Sequence, residues 1–374
     1  MMLIKGPITD LLFLLLSIVT FIQFWVYWVT YRRIAFYHGT KGIPETQPVS
    51  VIICAKNEAV NLSKNLQAVL EQAYPEFEVI VVNDCSWDET EEHLLEMSAK
   101  YPHLKVVTIK EQEKYRHGKK FALTLGVKAA RHEILLMIDA DCIPASKNWL
   151  ALVQAQFTND TEIVLGYGAY QKKPGFLNKL IRFDTFLIAM QYFGFALGGN
   201  AYMGVGRNLA YRKSMFFRNK GFAKHNHLFS GDDDLFVNEN STPHNTKIEV
   251  EEAAFTLSEP KTSFNAWFKQ KRRHMSTSRH YKGIHKLQLF LISVSGMLFY
   301  MLLIALFSLR FEWRILVSLY GALLLLKLPV LWKSAVRLRE KDLFFLFPIL
   351  EPVHTFLQPV FFISNMFTKQ KAWK

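Results

Sequence analysis

The chain has 374 residues, half of them hydrophobic and 31 of them Phe, with a formal net charge of +13. That length suits one large domain or two ordinary ones. The positive excess lies beside apolar segments, so attraction to anionic lipid explains it and nucleic acid is excluded as a partner.

In chain order, residues 8–30 form an apolar run that ends in Trp25, Tyr27, Trp28 and Tyr31, followed by Arg32 and Arg33. This is a bilayer-spanning length with an aromatic belt and a basic stop. The run is too long for a signal peptide, and no small-residue cleavage site follows. From residue 48 the composition becomes that of a soluble domain. Residues 48–55 read as a buried strand that opens into a polar turn at Lys56, Asn57 and Glu58. Leu62, Leu66, Val69 and Leu70 then share one helical face. Residues 78–82 are a second buried strand ending in Asn83 and Asp84, residues 89–100 a helix, and 104–109 a third strand. Strand, helix, strand, helix, strand is the signature of a parallel sheet. Gly118, Lys119 and Lys120 at the next helix start offer backbone N–H groups and a cation to phosphate.

That helix leads into Leu135, Leu136, Met137 and Ile138, a buried strand, and then Asp139, Asp141 and Pro144. In extended backbone, residues i and i+2 point to the same side. The two carboxylates are therefore expected to project together from a strand's carboxyl end, where open α/β sheets bind ligands, with a loop pair that caps the next turn as the alternative. A hard divalent ion, Mg²⁺ or Mn²⁺, shared with a diphosphate relieves their repulsion. The three cysteines, Cys54, Cys85 and Cys142, lack zinc-like spacing and are expected to stay reduced.

Residues 174–197 are apolar but interrupted by Asp184 and Gln191, which predicts a buried or interfacial helix. Asp232, Asp233 and Asp234 stand together as either helix N-terminal charge or a general base. Phe264, Trp267, Phe268 and Met275 lie near one helical face, with Lys269, Arg272, Arg273 and Arg279 on the polar side, which reads as a basic interfacial helix. Residues 287–309 and 315–331 are two further spans. Residues 343–367 hold Pro348, Glu351, Pro352, His354 and Pro359 and read as re-entrant or interfacial, with a fourth span as the alternative. Basic groups at Arg32, Arg33 and Lys41, at Lys282 and Lys286, and at Lys333, Arg337, Arg339 and Lys341 are expected in the cytoplasm, and the basic tail 369–374 joins them if residues 343–367 do not cross. The expected layout is a transmembrane helix in 1–33, a catalytic domain in 48–260, a basic interfacial helix in 261–286, two transmembrane helices in 287–332, and a basic loop, proline-broken segment and tail in 333–374.

Four stretches also carry a resemblance: Val-Ser-Val-Ile-Ile-Cys-Ala-Lys-Asn-Glu at 49–58, Val-Asn-Asp-Cys-Ser-Trp-Asp-Glu-Thr at 82–90, Gly-Lys-Lys-Phe-Ala-Leu at 118–123 and Asp-Ala-Asp at 139–141. In that combination and order, over about residues 49–280, the chain resembles membrane-bound family 2 glycosyltransferases of the GT-A fold, an α/β, Rossmann-like, mostly parallel sheet. The resemblance implies roles. Ala55, Glu58 and Asp84 would surround the nucleotide base and ribose, with Lys119 near the nucleotide. Asp139 and Asp141 would form the Asp-x-Asp motif, with Asp141 favoured as the direct metal ligand. Gly206, Asn208, Ala210 and Tyr211 resemble the stretch beside the donor sugar. Gly-Asp-Asp followed by Asn resembles polysaccharide synthases, a register that makes Asp233 the base, with Asp232 and Asp234 as fallbacks. Gln270 and Arg273 match the Gln-x-x-Arg-Trp of processive members, where they face the acceptor and the diphosphate, but His274 replaces the tryptophan. The implied activity is inverting sugar transfer from a nucleotide sugar, UDP-linked, to a lipid-linked or polysaccharide acceptor, in a bacterial inner membrane with the catalytic domain cytoplasmic. Two alternatives stand beside it: transfer onto polyprenyl phosphate, and a nucleotide-sugar-binding scaffold of a polysaccharide export system.

Overall fold

The computed structural model describes residues 6–39, 46–110, 118–228 and 230–366. Expectations resting on Lys41 and on the basic tail 369–374 lie outside the described residues.

The strands are β1 (Val49–Ala55), β2 (Phe77–Asp84), β3 (Leu104–Ile109), β4 (Ile134–Met137), β5 (Cys142–Pro144), β6 (Ile163–Gly166), β7 (Gly168–Tyr170), β8 (Leu209–Arg212), β9 (Thr246–Glu249) and β10 (Thr256–Ser258). Seven form one sheet in the order β3-β2-β1-β4-β8-β6-β9, parallel except that β8 runs against both β4 and β6. A smaller sheet has the order β5-β10-β7.

The main sheet is apolar on both faces because successive side chains point opposite ways. Val51 and Ile53 of β1, Val79 and Val81 of β2, and Ile134 and Leu136 of β4 enter one core. Ile52, Ile80, Val82, Leu135 and Met137 enter the other. The first core is closed by α1 (Ala59–Leu70), through Leu62, Leu66 and Val69, and by α2 (Thr90–Lys100) through Leu94. The second is closed by α3 (Lys119–Ala129) through Leu123 and Val127, and by α4 (Phe176–Ala196). A Cβ on Gly126 would stand 2.6 Å from Ile52 Cγ2, so only glycine lets α3 lie this close to the sheet.

Helix α4 is the buried helix expected from its interrupted apolar run: most of its side chains are enclosed between the sheet and the membrane helices. Then come α5 (Asp234–Asn240), α6 (Phe264–Met275), α7 (Gly283–Ser308), α8 (Trp313–Arg337) and α9 (Phe347–Met366). Four segments are long and apolar enough to cross a membrane: Pro7–Ala35, Gly283–Ser308, Trp313–Arg337 and Lys341–Asn365.

The last of these departs from the proline-broken expectation. Helix α9 continues through Pro352 and Pro359. An interior proline removes one hydrogen bond, and a helix packed among others withstands the loss. The packing of α9 is nevertheless that of a helix held against the α/β domain. Near its start, the Phe347 and Phe183 ring centroids are 6.0 Å apart. In its middle, His354 Nε2 lies 3.1 Å from Asp184 Oδ1. Near its end, Phe361 meets the Trp267 ring at 5.3 Å, and Asn365 Nδ2 donates to the Arg272 carbonyl at 2.8 Å. On another side, Glu351 accepts from Lys327 at 2.7 Å and from the Tyr300 hydroxyl at 2.8 Å, so the one lysine buried in α8 has a closed partner.

Candidate active site

The turns after β1 and β2 are built into each other. Asn57 adopts φ 55°, and its N–H donates to Ser86 Oγ at 2.9 Å while its Oδ1 accepts the Trp87 N–H at 3.0 Å. Glu58 N–H donates to Thr90 Oγ1 at 3.0 Å, and Ala59 N–H to Asp88 Oδ2 at 3.2 Å. The Ser86, Asp88 and Thr90 side chains thus satisfy the N–H groups that lead into α1, including that of Ala59, its first residue. This fixes Glu58 at the rim of a cavity of about 1100 Å³. Ala55 and Asp84 sit at neighbouring strand ends but are fully buried and do not line that cavity.

Asp139 and Asp141 do line it, though not as a strand end. β4 stops at Met137, and the pair lies in the turn that carries the chain from the large sheet to β5 in the small one. The period-two expectation fails for that reason, yet the carboxylates still converge. A carboxylate oxygen from each and the Cys142 sulfur all lie within 4.8 Å of one another. Two oxygens at that spacing fit a hard divalent ion, which takes carboxylate ligands. Cys142 does not extend the set. Its Sγ is 3.0 Å from Ser258 Oγ, and a soft sulfur does not suit the hard, oxygen-preferring ions that two carboxylates select.

Lys119, in the first turn of α3, links this pair to the acidic triplet. Its Nζ lies 2.9 Å from Asp139 Oδ1 and 2.9 Å from Asp232 Oδ2. Burial opposes its charge, but the carboxylates of Asp139, Asp232 and Asp233 hold its pKa well above the ordinary value. The three acids then differ by partner. Burial would push Asp232 up, but Lys119 outweighs it and holds the carboxyl below its ordinary range. Asp234 is sealed: its Oδ2 accepts from the Tyr281 hydroxyl at 2.6 Å and from Thr277 Oγ1. Asp233 caps α5, accepting the Asp234 N–H at 2.7 Å on Oδ1 and the Gly206 N–H at 2.7 Å on Oδ2. Burial first, then the charges of Asp232 and Asp234, push its carboxyl up to about 7. It is the half-buried member of the triplet and faces the cavity.

Gln270, Arg273 and His274 also line the cavity, from α6. The helix is set by a buried pair that the sequence did not disclose: Lys271 Nζ lies 2.8 Å from Asp184 Oδ2, and Asp184 also accepts from Gln358 Nε2 at 3.2 Å. This joins α4, α6 and α9 at one carboxylate. Arg207 was also missed. Its guanidinium stacks 4.5 Å over the Tyr170 ring and donates to the Gly168 carbonyl at 2.6 Å, forming part of the cavity floor. Asp184 announced itself only as a charge inside an apolar run, and Arg207 only by standing between Gly206 and Asn208.

Residues 50–218 match the family model for glycosyl transferase family 2. Over 104 residues the chain is 38% identical to the glycosyltransferase AglE of Haloferax volcanii, a match covering 27% of this chain and 33% of that one. Over 99 residues it is 31% identical to a poly-beta-1,6-N-acetyl-D-glucosamine synthase of Staphylococcus epidermidis, covering 26% and 23%. The matched regions thus span about a third of these relatives or less. Among solved structures, the mannosyltransferase PcManGT from Pyrobaculum calidifontis, in complex with GDP-Man and Mn²⁺, superposes over 97% of this chain and 100% of its own, with a TM-score of 0.59 and 18% identity. That likeness gives the fold, GT-A with apolar helices at both ends of the chain. The part of the chain that holds Asp139 and Asp141 thus matches glycosyl transferase family 2 over residues 50–218.

Proposed function

We propose that the chain is a membrane-anchored, inverting glycosyltransferase that moves a sugar from a nucleotide-sugar donor, a UDP-sugar first, to a hydroxyl of a membrane-associated glycan or lipid-linked acceptor. One observation carries the reading: Asp233, pushed up to about 7, faces the same cavity as the Asp139–Asp141 pair, with Lys119 between them. A base near neutrality and a diphosphate site in one cavity are what single displacement requires. The acceptor oxygen bonds to the anomeric carbon while Asp233 takes its proton. The bond from that carbon to the phosphate oxygen breaks, and the nucleoside diphosphate leaves with the electron pair. Mg²⁺ or Mn²⁺ held by Asp139 and Asp141 would neutralise charge on the diphosphate. Lys119 and Arg273, which both line the cavity, would add positive charge to it, and Asp232 holds Lys119 in place. Glu58 would meet the nucleoside end, with Ala55 and Asp84 shaping the strand ends behind it, and Gln270 would stand beside the acceptor.

The proposed topology has three crossings, Pro7–Ala35, α7 and α8, with α9 lying along the domain. Helix α9 is about 30 Å long at 1.5 Å per residue, so a perpendicular crossing would carry one end a bilayer's thickness from the domain. Its contacts with Phe183, Asp184 and Trp267 run from start to end instead. With the basic connections on the inner side, the proposed orientation has the domain facing the cytoplasm, at a bacterial inner membrane.

A donor screen tests the reading: nucleotide release by detergent-solubilised protein with Mn²⁺ or Mg²⁺ and membrane lipid extract. Release from one nucleotide sugar, with the sugar recovered in a product, is expected. Release from none of them would contradict it.

A further inference from the structure

The cavity that holds the carboxylates does not end in the α/β domain. Phe290, Val294 and Met297 of α7 and Pro359, Phe362 and Ile363 of α9 also line it. Phe290, Val294 and Met297 follow at four and three residues, and Pro359 is three from Phe362 and four from Ile363, so each set shares one side of its helix. On α7 that face lies roughly opposite the one that packs on the first membrane helix, where Ser295, Phe299, Leu302 and Leu306 are buried and Gln23 Nε2 donates to Ser295 Oγ at 2.8 Å. On α9 it lies away from Phe347, His354 and Phe361, which face the domain. Phe290 is 61% exposed, Phe362 53% and Ile363 52%, although both helices are apolar enough to lie in a membrane. One continuous space thus has carboxylates at one end and an apolar cleft at the other, open between two membrane-associated helices.

We propose that the acceptor is an amphiphile whose hydrocarbon chain stays in the bilayer and reaches the site sideways, between α7 and α9, so that only its hydroxyl-bearing head meets Asp233. This rests on the glycosyltransferase reading and names the acceptor class for it. A wholly polar glycan would leave the Phe290–Ile363 cleft wetted, whereas a hydrocarbon chain covers it and is already present at that depth. The apolar cleft is also unsuited to threading a growing polar polymer.

Val294→Trp and Ile363→Trp keep the cleft apolar while filling it, and Ile304→Trp and Leu325→Trp are controls on exposed positions outside the cavity. Full-length protein is incubated with labelled donor and membrane lipid extract, and label in chloroform-soluble product is counted. At least a tenfold loss is expected for both cleft variants and less than a twofold change for the controls, with the dissociation constant for donor nucleotide unchanged in all four. In a second measurement, a photoreactive fatty alcohol in phosphatidylcholine vesicles should label the segment containing Met297, and Ile363→Trp should abolish that label while the segment containing Leu325 keeps its own. Cleft variants as active as wild type, controls equally impaired, or label at Met297 indifferent to Ile363→Trp would overturn the proposal. A water-soluble product would overturn it too and leave the glycosyltransferase reading standing. If no donor is turned over, that reading fails, and the labelling still decides whether a chain occupies the cleft.

Discussion

Burial and two like-charged neighbours push the Asp233 carboxyl up to about 7, whereas Lys119 holds Asp232 down. A general base works only when ionised, so the sign of the pH dependence follows. Below about pH 7 the ionised fraction of Asp233 falls about tenfold per unit. The kcat/KM for acceptor should therefore climb with pH to about 7 and level off, and a profile flat between about pH 5 and about pH 8 would remove Asp233 from that role. The metal has its own check. Chelator should abolish turnover, added Mn²⁺ should restore it, and Asp141→Ala should resist restoration; full activity of Asp141→Ala in chelator would contradict the site. That Asp139 and Asp141 stand close enough to share an ion was legible from their types and spacing, whereas Asp233 was singled out only by the resemblance to polysaccharide synthases. The difference among the three adjacent acids was not legible. It depends on Lys119 and Tyr281, which the fold brings in from distant positions.

At the scale of elements, the strands were legible because a sheet covered on both faces leaves continuous apolar runs, as in β1, β2 and β4. The turn holding Asp139 and Asp141 was misread as extended because the apolar run through Ile138 does not show that the chain changes sheets there. The continuity of α9 was missed because its own sequence does not show the neighbouring elements that let it withstand the hydrogen bonds lost at Pro352 and Pro359. The junction of α4, α6 and α9 at Asp184 makes a stability prediction. Lys271 and Asp184 are both buried, and removing one partner leaves an uncompensated charge worth about 3–5 kcal/mol. Asp184→Ala should thus lower the thermal midpoint of the solubilised protein markedly, while the pair Asp184→Leu with Lys271→Met should recover most of the loss. Equal destabilisation by the single and the double change would mean that the charges are not what couples these helices.

Across the whole molecule, the α/β domain, the membrane helices and the cavity between them form one arrangement, anchored at Asp184 and at the Lys327–Glu351 pair. On the proposed topology, in which α9 does not cross, a tag fused to the C-terminus should be digested by protease in inside-out vesicles and protected in right-side-out ones. The reverse pattern would mean that α9 crosses. The division into a membrane segment, a catalytic domain and a membrane-proximal end was legible from composition alone, since apolar runs of spanning length stand apart from mixed sequence. How α9 sits was not, because length and hydropathy are the same for a helix that crosses and one that lies alongside. The most direct test of the catalytic account is Asp233→Asn, which keeps shape and removes basicity, in a sugar-transfer assay beside a donor-binding measurement. Transfer should fall by about 10²–10⁴-fold with donor affinity unchanged, the usual worth of general-base catalysis; transfer at the wild-type rate would contradict the account.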